Sequence, residues 1–91
     1  MFGWFKKKNT PQKEQALEWI DYKGFRLAAS PIPESGQFRV AGQIEKGEGD
    51  ALLRHHFVRA DMLPSEKEAN EFSLNKGKMM IDQLGDRIFE Q

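Results

Sequence analysis

The chain has 91 residues, no cysteine and a formal net charge of zero. These exclude a second hydrophobic core, any disulfide or thiolate metal site, and a surface coated in positive charge. At this size folding buries about two-thirds of the chain's surface and stability falls near 5 kcal/mol, which leaves dimerisation open as a further contribution.

Residues 1–15 open with Phe2, Gly3, Trp4 and Phe5, then Lys6, Lys7 and Lys8, then a polar run through Thr10, Pro11 and Gln12. The composition predicts a mobile N-terminal tail whose aromatic residues pack loosely on the domain or on a partner. The same residues would also support weak membrane contact, with the aromatics in the interface and the lysines near anionic headgroups. No apolar run approaches the ~20 residues of a membrane span, and the first residues lack the apolar core and cleavage site of a secretory signal. The expected location is the cytoplasm.

Residues 16–91 make one small domain. Ala16 to Trp19 fits either a half-turn of helix or the lead-in to a strand. Ile20 to Ala29 alternates, with Phe25, Leu27 and Ala29 on one face and Gly24, Arg26 and Ala28 on the other, and predicts the first strand. Ser30 to Gly36, SPIPESG, carries two prolines and a glycine and predicts a loop. Gln37 to Glu45 predicts the second strand, with Phe38, Val40, Gly42 and Ile44 inward and Gln37, Arg39, Ala41, Gln43 and Glu45 outward. Gly47, Gly49 and Asp50 make a turn, and Leu52 to Ala60 predicts the third strand, with Leu53, His55 and Phe57 inward.

Ser65 to Leu84 predicts a helix. Ser65 with Glu68 three residues on is a capping box, and Pro64 helps to fix the start. Ala69, Ser73, Gly77, Met80 and Leu84 form one stripe flanked by Phe72 and Ile81, and Gly85 suits the left-handed position that ends a helix. Ile88 and Phe89 are expected to fold back over an edge of the core. The expected fold is α+β: a three-stranded antiparallel sheet with one C-terminal helix packed on one face, in the order β-β-β-α.

Little in the chain predicts chemistry. His55 and His56 are adjacent on a strand and point to opposite faces, so they cannot share a metal ion. Ser35 lies in a turn with no base that can be named beside it, and Glu45, Glu48 and Asp50 gather near a solvated hairpin tip. No catalytic residue, metal site or cofactor is expected. Arg59 and Asp61, two apart on one face, are expected to form an ion pair.

The outer face of the sheet is the feature that rises above background. Arg26, Arg39, Gln43, Arg54 and His56 project from it across all three strands. Arginine and glutamine suit phosphates and the edges of guanine and adenine, and a small sheet can enter the major groove. An ordinary solvated sheet face has the same composition, and Glu45 opposes the positive charge.

The chain from about Tyr22 to Phe89 resembles the HlyU family, small bacterial proteins described as transcriptional activators. The resemblance is carried by Tyr22-Lys23-Gly24-Phe25, Gly36-Gln37-Phe38, Ala41-Gly42 with Ile44, Phe57 with Arg59-Ala60-Asp61, Ala69 with Phe72-Ser73, Lys76, Ile81-Asp82 and Gly85-Asp86-Arg87-Ile88-Phe89. Gly77 departs from the family pattern, which has alanine after the lysine, and implies a loss of about 1 kcal/mol of helix stability. The resemblance implies a non-enzymatic, transcription-associated protein, and with the arginine face it points to DNA as the partner, with Lys6, Lys7 and Lys8 adding phosphate contacts. The alternative is a protein-interaction module that docks a partner through a sheet edge or the aromatic tail.

Overall fold

A computed structural model describes residues 17–90 of the chain. The tail over residues 1–15, with Lys6, Lys7 and Lys8, lies outside the described residues. Among the described residues, five antiparallel strands, β1 (Ile20–Tyr22), β2 (Phe25–Ala29), β3 (Ile32–Glu34), β4 (Gln37–Lys46) and β5 (Leu53–Leu63), precede one helix, α1 (Glu66–Leu84), and a final 3-10 turn over Gly85–Glu90. The class is the α+β expected, but the sheet has five strands rather than three.

Two tight turns account for the extra strands. Lys23 (φ 53°) and Gly24 (φ 86°) make a two-residue turn that pairs Tyr22 with Phe25, so Ile20 to Ala29 is a hairpin and not one strand. Ser35 (φ 50°) and Gly36 (φ 79°) make a second such turn and pair Glu34 with Gln37, so the expected loop contains β3. Positive φ at both central residues matches the right-handed strand twist, which is why this turn type joins hairpins.

β4 organises the sheet. β2 and β3 lie end to end along one edge of β4 in a single continuous register, from Arg26↔Glu45 to Glu34↔Gln37, while β5 pairs along the other edge. β2 and β3 are separated at Ser30 and Pro31. There the Ser30 N–H donates to the Ala41 carbonyl (2.9 Å), and the Ala41 N–H donates to Ser73 Oγ of the helix (3.2 Å). A helix hydroxyl thus occupies a place in the sheet's hydrogen bonding where the ladder is interrupted. β5 runs three residues beyond the expected end at Ala60 and carries a bulge: Arg59, Ala60 and Asp61 span the interval that Val40 alone spans on β4.

The helix begins as expected. Ser65 Oγ accepts from the Glu68 N–H (3.2 Å), and Gly85 (φ 53°) ends the helix while its N–H donates to the Ile81 carbonyl. Its fully covered line is Ala69, Ser73, Gly77 and Ile81, four apart throughout, with Met80 and Leu84 half-buried beside it. The core joins Phe25, Leu27, Ile44 and Phe57 of the sheet to Ile81 and Ile88. Ile88 and Phe89 do fold back: Ile88 is fully buried and Phe89 stacks on Phe25 at 6.1 Å. Lys46 holds this last turn, reaching Asp86 at 2.7 Å while its ammonium sits 4.7 Å from the Phe25 ring centre.

Two glycines allow close approaches, Gly77 between helix and sheet and Gly42 within the sheet. A Cβ on Gly77 would lie 2.3 Å from Leu27 Cδ1, and one on Gly42 would lie 2.5 Å from Phe57 Cζ and 2.8 Å from the Ala28 carbonyl oxygen. Gly77 therefore lowers the helix's intrinsic stability, as expected, but it also gives room to Leu27, which is fully buried.

Candidate nucleic-acid interface

Register decides which side chains share the outer face. Arg26 of β2, Glu45 of β4 and Arg54 of β5 lie directly opposite one another, and the next row is Ala28, Gln43 and His56. Side chains directly opposite in antiparallel strands project to the same side. Arg26, Gln43, Arg54 and His56 are therefore brought together on the face away from the helix. Arg39, opposite Ile32 and Met62, stands further along the same side of β4. His55, opposite Ile44, points the other way.

The arginines do not stand free. Glu45, whose side chain is only 10% exposed, lies between two of them. Arg54 reaches Glu45 Oε2 through Nη2 at 2.6 Å and Nε at 2.7 Å, and Arg26 Nη2 lies 3.6 Å from Oε1 while donating to the Gly47 carbonyl at 2.7 Å. Glu45 is thus the counter-ion at the centre of the face. Arg54 keeps more than half of its side chain in solvent and is the most accessible of the three.

Arg39 is engaged differently. Nε and Nη2 donate to the two carboxylate oxygens of Glu34 at 2.8 Å each, and Nη1 donates to the Arg59 carbonyl at 3.1 Å. The guanidinium fork joins the end of β3 to the bulge of β5 across β4, a planar two-point grip that lysine could not reproduce. The hydrogen bonds from Arg39 hold the Glu34 carboxyl below its ordinary range, and Glu34 in turn raises Arg39. Arg59 contributes its carbonyl to this arrangement, and no ion pair between Arg59 and Asp61 occurs among the described residues.

Another charged group ties the first hairpin to the helix. Asp82 accepts from Lys23 Nζ at 2.7 Å and from the Tyr22 hydroxyl at 3.0 Å, and these bonds, Lys23 foremost, hold its carboxyl below the usual range. This pair sits on the helix side of the molecule and serves packing.

The face is less flat and less basic than alternation predicts. Ala28 and Ala41 lie on the outer side of the pleat yet are fully buried. Leu17 and Trp19 border a shallow depression of about 350 Å³ with Gln43, Glu45 and Arg54. Trp19 is the aromatic that residue patterning leaves unplaced; its signal is parity, since Asp21, two residues on, is opposite Arg26. A larger groove of about 670 Å³ starts at Gln43 and His56 and rounds the sheet at the Ser30–Pro31 break toward Asn70 and Leu74 of the helix. No cluster of three metal-ligating side chains occurs among the described residues, and no helix there is long and apolar enough to cross a membrane.

Comparison with curated proteins and with solved structures finds no match. A family model described as transcriptional activator HlyU matches residues 1–89, nearly the whole chain. The chain therefore belongs to the HlyU family, described as transcriptional activators.

Proposed function

We propose that this protein is a non-enzymatic transcription regulator of the cytoplasm that contacts duplex DNA through the outer face of its sheet. The observation that carries the reading is the alignment of Arg26, Gln43, Arg54 and His56 on one side of three adjacent strands. β2, β4 and β5 together span about 10 Å, close to the roughly 12 Å width of the major groove. Arg54 and Arg26 supply phosphate or guanine contacts and Gln43 an adenine-type contact. Lys6, Lys7 and Lys8 add phosphate contacts from the tail. Arg39 supports the face chiefly by holding β3 and the bulge in place.

Glu45 sets the affinity on this reading. Binding must draw Arg26 and Arg54 partly away from its carboxylate, and phosphates close to that carboxylate are repelled. Fluorescence anisotropy against mixed-sequence duplex DNA, titrated at several salt concentrations, tests this. Arg26→Gln with Arg54→Gln should weaken binding and flatten its salt dependence by about two counter-ions, while Glu45→Gln should tighten it. No binding by the native protein at low salt overturns the reading, as does binding that ignores all three substitutions.

A further inference from the structure

The two edges of the sheet are protected very differently. On one side β1 is three residues long, and the neighbouring edge along β3 is interrupted by Pro31 and Pro33 and closed by the charged Glu34. Short strands, prolines and charges are the usual means by which a sheet edge avoids pairing with another chain. On the other side β5 is eleven residues long and pairs only with β4 among the described residues. Its bulge comes late, at Arg59 to Asp61, so Leu53 to Val58 is a regular run with no proline and no lysine.

Register identifies which backbone groups of that run have no strand partner among the described residues. The N–H and C=O of one residue in an antiparallel strand point to the same edge, and those of the next residue to the opposite edge. Ala41 bonds toward β2, so Gln43 and Glu45 do too, and Gly42, Ile44 and Lys46 bond toward β5. Their partners Phe57, His55 and Leu53 are thereby satisfied. Arg54, His56 and Val58 turn their backbone groups outward.

We infer that this edge pairs with the same edge of a second copy, β5 against β5 antiparallel, about a two-fold axis through His56. That axis lets all three outward residues pair at once: Arg54 faces Val58 of the second copy, and the two His56 face each other. An axis through Arg54 would set arginine against arginine, and one through His55 would set Arg54 against His56. The charge on the run is already matched within its own chain, because Glu45 holds Arg54 at 2.6 Å, so a second copy meets no unbalanced cation. Exposed apolar residues gather here as well: Leu52, Leu53 (46% exposed) and Val58 (50% exposed) are three of the five large apolar residues left in solvent among the described ones. The resulting sheet is continuous across the axis, with both helices on one side. This assembly stands or falls independently of DNA binding.

Sedimentation of the full chain over a wide concentration range is the first test, and a concentration-dependent monomer–dimer equilibrium is expected. Val58→Lys, which sets a cation against Arg54 of the second copy, should weaken dimerisation at least tenfold with an unchanged circular dichroism spectrum, whereas Val58→Glu should preserve it. Because the chain has no cysteine, His56→Cys reads the register directly: facing residues that share a hydrogen-bonded pair have Cβ atoms about 5.5 Å apart, too far for an unstrained disulfide but within the span of a short bismaleimide. It should give a covalent dimer with that reagent, and Gln83→Cys on the exposed helix should not. A protein that stays monomeric throughout, a dimer indifferent to Val58→Lys, or equal cross-linking at both cysteines overturns the pairing.

Discussion

On the helix side of the sheet, Gly42 and Gly77 each have a neighbour too close for a Cβ, and Ser73 is fixed by the Ala41 N–H that it accepts at 3.2 Å. On the outer side, Arg39 is held by the solvated Glu34, and Arg26 and Arg54 by Glu45, whose carboxylate is nearly covered and depends on them for its counter-charge. The two faces of one sheet thus obey different constraints. The covered face is determined by shape, and changes of one methyl group should register there. The outer face is determined by charge, and its changes should alter pH and salt behaviour more than stability.

Gly42→Ala should be the most damaging single change, because the new methyl group meets both the Phe57 ring and the Ala28 backbone carbonyl. A loss of about 3 kcal/mol is expected from overpacking of this kind, read as a lowered urea midpoint. Ser73→Ala removes the acceptor of the Ala41 N–H in a fully buried position, with an expected loss of about 2 kcal/mol. Rapid hydrogen exchange at the Ala41 amide would mark the cause.

Gly77→Ala opposes two effects. Alanine favours the helix by about 1 kcal/mol, but its methyl group meets Leu27, and overpacking costs about 2 kcal/mol. The net expectation is a loss of about 1 kcal/mol that vanishes when Leu27 is shortened to valine, so a double-mutant cycle should show strong coupling between the two sites. Independence of the two changes would mean that the layers can separate, and the contrast between the faces would weaken.

The smallest effect belongs to the outer face. Arg39 depresses Glu34, so the pair stabilises the fold above the ordinary glutamate range near pH 4.3. That contribution is lost as pH falls through the lower folded value. Glu34→Gln should therefore be slightly less stable than the native protein at neutral pH, and the two should converge in acid. High salt should narrow the difference at neutral pH as well. A difference as large as that of Ser73→Ala would show that the outer face is as tightly constrained as the covered one.

The legible parts of the fold were those written locally. Ser65 with Glu68 marks the helix start, Gly85 its end, and alternation assigns Phe25, Leu27, Val40, Ile44 and Phe57 to the covered side. The hairpins were hidden because Lys23-Gly24 and Ser35-Gly36 lack the asparagine or aspartate that usually signals such a turn, and because Pro31 and Pro33 obscure a short edge strand. The bulge in β5 could not be seen at all. It is a mismatch between two strands, and neither strand alone records it. The outer face was legible as a set of residues but not as a set of pairs: Arg26, Gln43, Arg54 and His56 follow from parity, whereas the placing of Glu45 between two arginines depends on register across three strands.

The bond from the Ala41 N–H to Ser73 Oγ has a consequence for how the two layers find each other. If the helix slid by one turn in either direction, Ala69 or Gly77 would come to the place of Ser73, and neither has a side-chain hydrogen-bonding group. The amide would then be buried bare and the hydroxyl stranded among apolar neighbours. A stripe of small residues repeating every four positions is otherwise poorly suited to tell one turn from the next. Ser73 acts as a key cut for a single notch, the break between β2 and β3, and allows a smooth helix to seat in one position.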